Sequence, residues 1–102
     1  MPMQSDARVY SLSQLRDMIL PLLERHNMRR ASVFGSYARG EATPDSDIDV
    51  LLEGNESFRH FNVFAVAEDL HELSGKPVDV YEVGELEEGP FRDAVLSEAV
   101  AL

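Results

Sequence analysis

Residues 30–53, RASVFGSYARGEATPDSDIDVLLE, carry the pattern that decides how the rest of the chain folds. Arg30–Gly35 (RASVFG) is a short β-type run that stops where Gly35 and Ser36 introduce a turn, and Tyr37–Arg39 then reads as a short helix. After Gly40 comes a polar connector, EATPDS, and then Asp47–Glu53 (DIDVLLE), a second strand whose first part alternates strictly. Successive side chains on a strand point to opposite faces, so Asp47 and Asp49 share one face while Ile48 and Val50 share the other. Two carboxylates therefore project together near a glycine-serine turn.

Working outward toward the N-terminus, Ser11 and Gln14 resemble a capping box, and Leu12, Leu15, Ile19, Leu22 and Leu23 recur at helical spacing up to about Asn27. Pro21 lies inside that span and removes one backbone hydrogen bond, which predicts a kink or an early change of direction. Toward the C-terminus, a loop over residues 54–60 leads to Val63, Val66, Ala67, Leu70 and Leu73, one face of a helix that Gly75 and Pro77 stop. Pro77–Val83 (PVDVYEV) alternates again as a third strand with Asp79 between two valines. Gly89 and Pro90 open a last helix with Phe91, Val95 and Ala99 on its apolar side. The order is helix, strand, short helix, strand, helix, strand, helix. It calls for an α/β fold of one domain, residues 1–102, in which helices cover a small three-stranded mixed sheet.

If the third strand neighbours the second, Asp79 joins Asp47 and Asp49. Carboxylates crowded together repel one another unless a cation lies between them. Mg²⁺ suits such a set, being a hard ion held by a few carboxylate oxygens, waters and substrate phosphates, and a pair of ions can clamp both oxygens of a phosphoryl displacement. Gly35 permits close backbone approach, the Ser36 hydroxyl and nearby amides can hold outer phosphates, and Arg39 can compensate charge. A calcium loop is the sharper rival, because Asp45, Asp47, Asp49 and Glu56 occupy positions 1, 3, 5 and 12 of an EF-hand. The position that needs Gly is Val50, however, and Leu51 and Leu52 make the segment a buried strand, so this reading is set aside.

Composition narrows the function. The chain has 102 residues, a net charge of −10, and no cysteine, so disulfides and thiolate chemistry are excluded. Residues 1–40 carry six Arg against three acids, whereas residues 41–102 carry one Lys and two Arg against sixteen acids. So acidic a body disfavours direct binding to nucleic acid and suits a basic protein partner, or it simply keeps a small domain soluble. No apolar run is long enough to span a membrane, and MPMQSDARVY lacks the layout of a secretory leader, which together point to a cytoplasmic protein. His26, His60 and His71 lack metal-ligand spacing and read as surface or helix-end groups; Tyr37 and Tyr81 read as packing residues, and Arg25, Arg29 and Arg30 as a solvated helix end.

Taken whole, GSYARGEATPDSDIDVLLE closely resembles the signature of the minimal nucleotidyltransferase (MNT) domains of the polymerase-β-like superfamily. The resemblance continues through HELSGKPVDVYEV to FRDAVLSEAVAL, which looks like the family's C-terminal helix. It implies the nucleotidyltransferase fold, with Gly35 and Ser36 as the phosphate-contacting pair, Asp47 and Asp49 as metal-binding carboxylates, and Asp79 as a third metal ligand that helps activate the attacking hydroxyl. Family members are commonly antitoxins encoded beside a HEPN-domain RNase toxin, and some transfer AMP from ATP to a tyrosine of that toxin. The resemblance thus implies Mg²⁺, ATP and a HEPN partner in a hetero-oligomer. Two alternatives stand beside it: a non-catalytic antitoxin acting by stoichiometric binding, and nucleotide transfer to a small molecule or an RNA end.

Overall fold

The computed structural model describes residues 7–102. The expectation of no secretory leader falls largely on residues 1–6, which lie outside the described residues.

Helix α1 spans Leu12–Arg25, and its first turn is closed by the capping box. The Ser11 hydroxyl accepts from the Gln14 amide at 3.0 Å while the Gln14 side chain accepts from the Ser11 amide at 2.8 Å. The helix runs through Pro21 without interruption and ends at His26, and Asn27 turns the chain with φ 61°. Strand β1 (Met28–Phe34) leads directly into α2 (Gly35–Arg39), which stops at the left-handed Gly40. Strand β2 is Ile48–Gly54, α3 is Phe61–Ser74 with the left-handed Gly75 as its cap, and β3 is Val78–Glu82. A single 3₁₀ turn over Val83–Glu85 precedes α4 (Pro90–Glu98) and β4 (Val100–Ala101).

The sheet has four strands in the order β3-β2-β1-β4. β1 is antiparallel to both β2 and β4, while β2 and β3 run parallel with α3 as the crossover. The mixed character is as expected, but the count of three is corrected by β4. The apolar spacing of Phe91, Val95 and Ala99 suggested a helix to the end of the chain. Instead Ala99 leaves the helix with φ −59° and ψ 130°, and the Val100 backbone pairs with Val33. A two-residue strand is too short to display an alternating pattern.

Register sorts the side chains into two layers. Val33 faces Val50 and Ala31 faces Leu52, and these pairs meet Leu15, Ile19 and Leu22 of α1 and Val63, Val66 and Leu70 of α3 in the main core. On the opposite face a smaller cluster joins Phe34, Leu51 and Val95. Among the described residues this second face carries α4 and, beside it, Val83 and Leu86 of the 3₁₀ turn and its exit, so part of it stays open. Asp49, two residues before Leu51, points to that open side.

Candidate active site

Asp49 lies in β2 opposite Phe34 on β1 and in register with Asp79 on β3. Register partners on adjacent strands project from the same face, so the fold brings these two carboxylates side by side. Asp47 sits one residue before the strand begins at Ile48, rather than inside it, and is exposed, as is Asp79. Asp49 is half-buried. Burial, then the charges of Asp79 and Asp47, push its pKa from 3.8 up to about 6, with Arg39 pulling the other way. Asp79 and Asp47 are therefore near enough to act on Asp49 electrostatically.

Gly35 is the first residue of α2, at φ 70°. A Cβ there would overlap the Asp49 carboxylate, so the turn and the acid approach at a distance that no side chain would permit. Ser36 follows, half-buried. Arg39, at the other end of α2, donates from Nε to Glu41 at 2.9 Å and from Nη1 to both carboxylate oxygens of Glu98 at 3.2 Å. Hydrogen bonding and charge from these two acids raise its pKa. The Gly35 amide also donates to Glu98 Oε1, at 3.0 Å. Sequence reading missed Glu98, which looks like an ordinary solvated residue near the end of an amphipathic helix.

Among the described residues, no three acidic or histidine side chains form a cluster able to hold a metal ion through protein atoms alone. The donor set still fits Mg²⁺, which keeps waters and takes one or two carboxylates together with substrate phosphates. Burial raises Asp49 most, and the repulsion from Asp79 and Asp47 that adds to it is what a cation between these oxygens would relieve.

A second residue missed by the sequence reading steadies the approach to the acids. Lys76, only 1% exposed, donates from Nζ to the Pro44 carbonyl at 2.9 Å, while the Ile48 amide donates to Pro77 O at 2.9 Å. The connector between α3 and β3 thereby grips the loop that delivers Asp47. A lone lysine between glycine and proline gives no periodic signal by which burial could be read.

The histidines are taken up by structural contacts. His26 Nε2 meets Asp69 at 2.7 Å, His60 Nδ1 meets Glu85 at 2.7 Å, and His71 Nδ1 meets the Lys76 carbonyl at 2.7 Å. Tyr81 packs on Phe34 and Phe91, and Tyr37 is buried in the main core. Arg25 pairs with Asp69, and Arg29 and Arg30 both pair with Glu53.

Residues 15–102 match the family model described as the nucleotidyltransferase domain. The protein adenylyltransferase MntA of Thermococcus cleftensis is 39% identical over 79 residues, covering 78% of this chain and 79% of that protein. A solved structure described as a minimal nucleotidyltransferase is 36% identical with a TM-score of 0.75, covering 91% of this chain and 97% of that one. The fold alone is shared with a chain from the complex of a tri-AMPylated Shewanella oneidensis HEPN toxin with its MNT antitoxin. There the identity is 18% and the TM-score 0.65, over 88% of this chain and 71% of that one.

Proposed function

We infer, from the premise that this chain belongs to the nucleotidyltransferase domain family, that it transfers AMP from ATP to a tyrosine hydroxyl of a HEPN RNase toxin and so acts as its antitoxin. The observation that carries the reading is the in-register pair Asp49 and Asp79 set against the Gly35 turn. The name of the Thermococcus relative supports the reaction class, and the Shewanella complex supports the choice of partner.

In this reading Asp47, Asp49 and Asp79 hold Mg²⁺, which would supply charge neutralisation for the phosphates and for departing pyrophosphate. Ser36 holds the outer phosphates through its hydroxyl and amide, and Gly35 gives them close backbone approach while its own amide is bonded to Glu98, with Arg39 beside them. The tyrosine oxygen forms its bond to the α-phosphorus as the bond from that phosphorus to the bridging β-phosphate oxygen breaks. Asp79 helps to remove the hydroxyl proton. The exposed positions of Asp47 and Asp79 suit an acceptor as large as a folded protein, because an enclosed pocket would exclude it. The acidic surface suits a basic partner in a hetero-oligomer, and no described helix is long and apolar enough to cross a membrane. Consumption of ATP to silence an RNase puts the activity in the cytoplasm.

The test is incubation with Mg²⁺, ATP and the toxin encoded by the neighbouring gene, followed by mass spectrometry of the toxin. Added AMP units are expected. A toxin that is neutralised without any adduct would remove the catalytic claim and leave an antitoxin that works by occlusion.

A further inference from the structure

We propose that Glu98 is a positioning residue for nucleotide binding, fixing the Gly35 turn and aiming the Arg39 guanidinium at the phosphates. The proposal rests on the nucleotidyltransferase reading above and adds a residue to it.

The strand that the sequence concealed places Glu98. β4 is antiparallel to β1, and Val33 pairs with Val100. Two residues on from Val33, just past β1, is Gly35; two residues back from Val100, at the end of α4, is Glu98. The short strand pair therefore sets Glu98 opposite Gly35, and the contact is made, from the Gly35 amide to Oε1 at 3.0 Å. The same carboxylate takes Arg39 Nη1 on both oxygens at 3.2 Å, while Glu41 takes Nε at 2.9 Å. One guanidinium is thus held from two sides. Its Nη2 donors have no protein partner among the described residues and remain available to a ligand.

Arg39 has a side chain 47% exposed, and a long exposed arginine otherwise samples many rotamers. Ordering it before the ligand arrives removes that entropy cost from binding. The opposing effect is repulsion between Glu98 and a polyphosphate. Arg39 offsets only one of the two carboxylates it binds, but Glu98 is 34% exposed, so solvent screens the remaining repulsion and orientation decides the sign.

The experiment is calorimetric titration of the full chain with a non-hydrolysable ATP analogue and Mg²⁺, for wild type, Glu98→Ala, Glu98→Gln, Arg39→Gln and the double variants. Loss of the Glu98 carboxylate is expected to weaken binding roughly fivefold to tenfold, the scale of one charge-assisted contact. Glu98→Gln, which keeps an acceptor for the Gly35 amide, should lose less. In the Arg39→Gln background the share of the loss that runs through Arg39 should vanish, leaving only the smaller share that runs through the Gly35 turn. Should Glu98→Ala not fold, Glu98→Gln in both backgrounds carries the comparison. Unchanged or tighter binding would overturn the proposal, the latter showing that Glu98 occupies the phosphate position. An equal loss in both backgrounds would also overturn it, by marking a general structural effect. A wild-type protein that does not bind the analogue withdraws the nucleotidyltransferase reading itself and this proposal with it, a result visible before any variant is compared.

Discussion

Replacing Asp49 with Asn should stabilise the protein when no divalent cation is present. In the folded chain Asp49 loses its proton near pH 6, against 3.8 for the ordinary group. Between those values the native state holds more protons than the unfolded state, so stability falls as pH rises through that window. The penalty is absent below the lower value and complete above the upper one. Each pKa unit corresponds to about 1.4 kcal/mol, which sets a ceiling of about 3 kcal/mol. Asp49 is only half-buried, so solvent screening lowers the expected gain to about 1–2 kcal/mol. For a domain of this size that raises the thermal midpoint by about 5–10 °C. The assay is thermal denaturation of wild type and Asp49→Asn in EDTA across pH 4 to 8, in steps of about half a unit. The two midpoints should nearly coincide at the acidic end, separate between about pH 4 and 6, and hold a constant gap above that. An Asn variant less stable than wild type at neutral pH, or a gap independent of pH, would refute the account of a carboxylate raised by burial and by its acidic neighbours.

Three further outcomes follow from the same contacts. Gly35→Ala must adopt the left-handed conformation, at about 1–2 kcal/mol, and must also displace Asp49; together these should lower stability by about 2–4 kcal/mol in urea unfolding. Lys76→Met removes the donor of the part-buried bond to the Pro44 carbonyl and should cost about 0.5–1.5 kcal/mol, read as a lower unfolding midpoint. Asp47→Asn combined with Asp49→Asn should abolish AMP transfer in the mass-spectrometric assay while partner affinity, measured by calorimetry, stays within about twofold, since neither carboxylate supplies the bulk of a protein interface.

The parts of the fold legible in the sequence are those in which one long signal repeats. Helix α1 announced itself through four buried positions at helical spacing and a capping box, and α3 through a similar stripe closed by Gly75. The placement of Asp49 against Asp79 followed from strict alternation in two strands, needing only the assumption that they are neighbours. What stayed hidden depends on pairing between distant segments. β4 has two residues, which cannot show a period, and the apolar residues before it fit a helix equally well. Glu98 takes its meaning from that pairing, so missing the strand meant missing the residue. Lys76 was hidden for a different reason: burial of a lysine is set by the carbonyl it meets, 32 positions away, and no local composition reports it.

The sheet's unequal faces explain how the chain tolerates an unfavourable site. Strands β1 and β2 bury Val33, Val50 and Leu52 completely on the side covered by α1 and α3, and that layer supplies most of the apolar burial. The other side holds a cluster of three buried residues, with one helix over part of it. Because strand side chains alternate, the tightly packed face determines which residues emerge on the thin one, and Asp49 emerges there between Ile48 and Val50, both fully buried. A slip of one residue would put the carboxylate into the apolar core. Register therefore does two things at once: it seats the valines and isoleucine that stabilise the sheet, and it holds Asp49 in register with Asp79, whose charge adds to the burial that disfavours the Asp49 carboxylate. The cost of that juxtaposition is modest beside the burial on the opposite face, which is why a domain this small can keep the acids assembled before any ligand arrives.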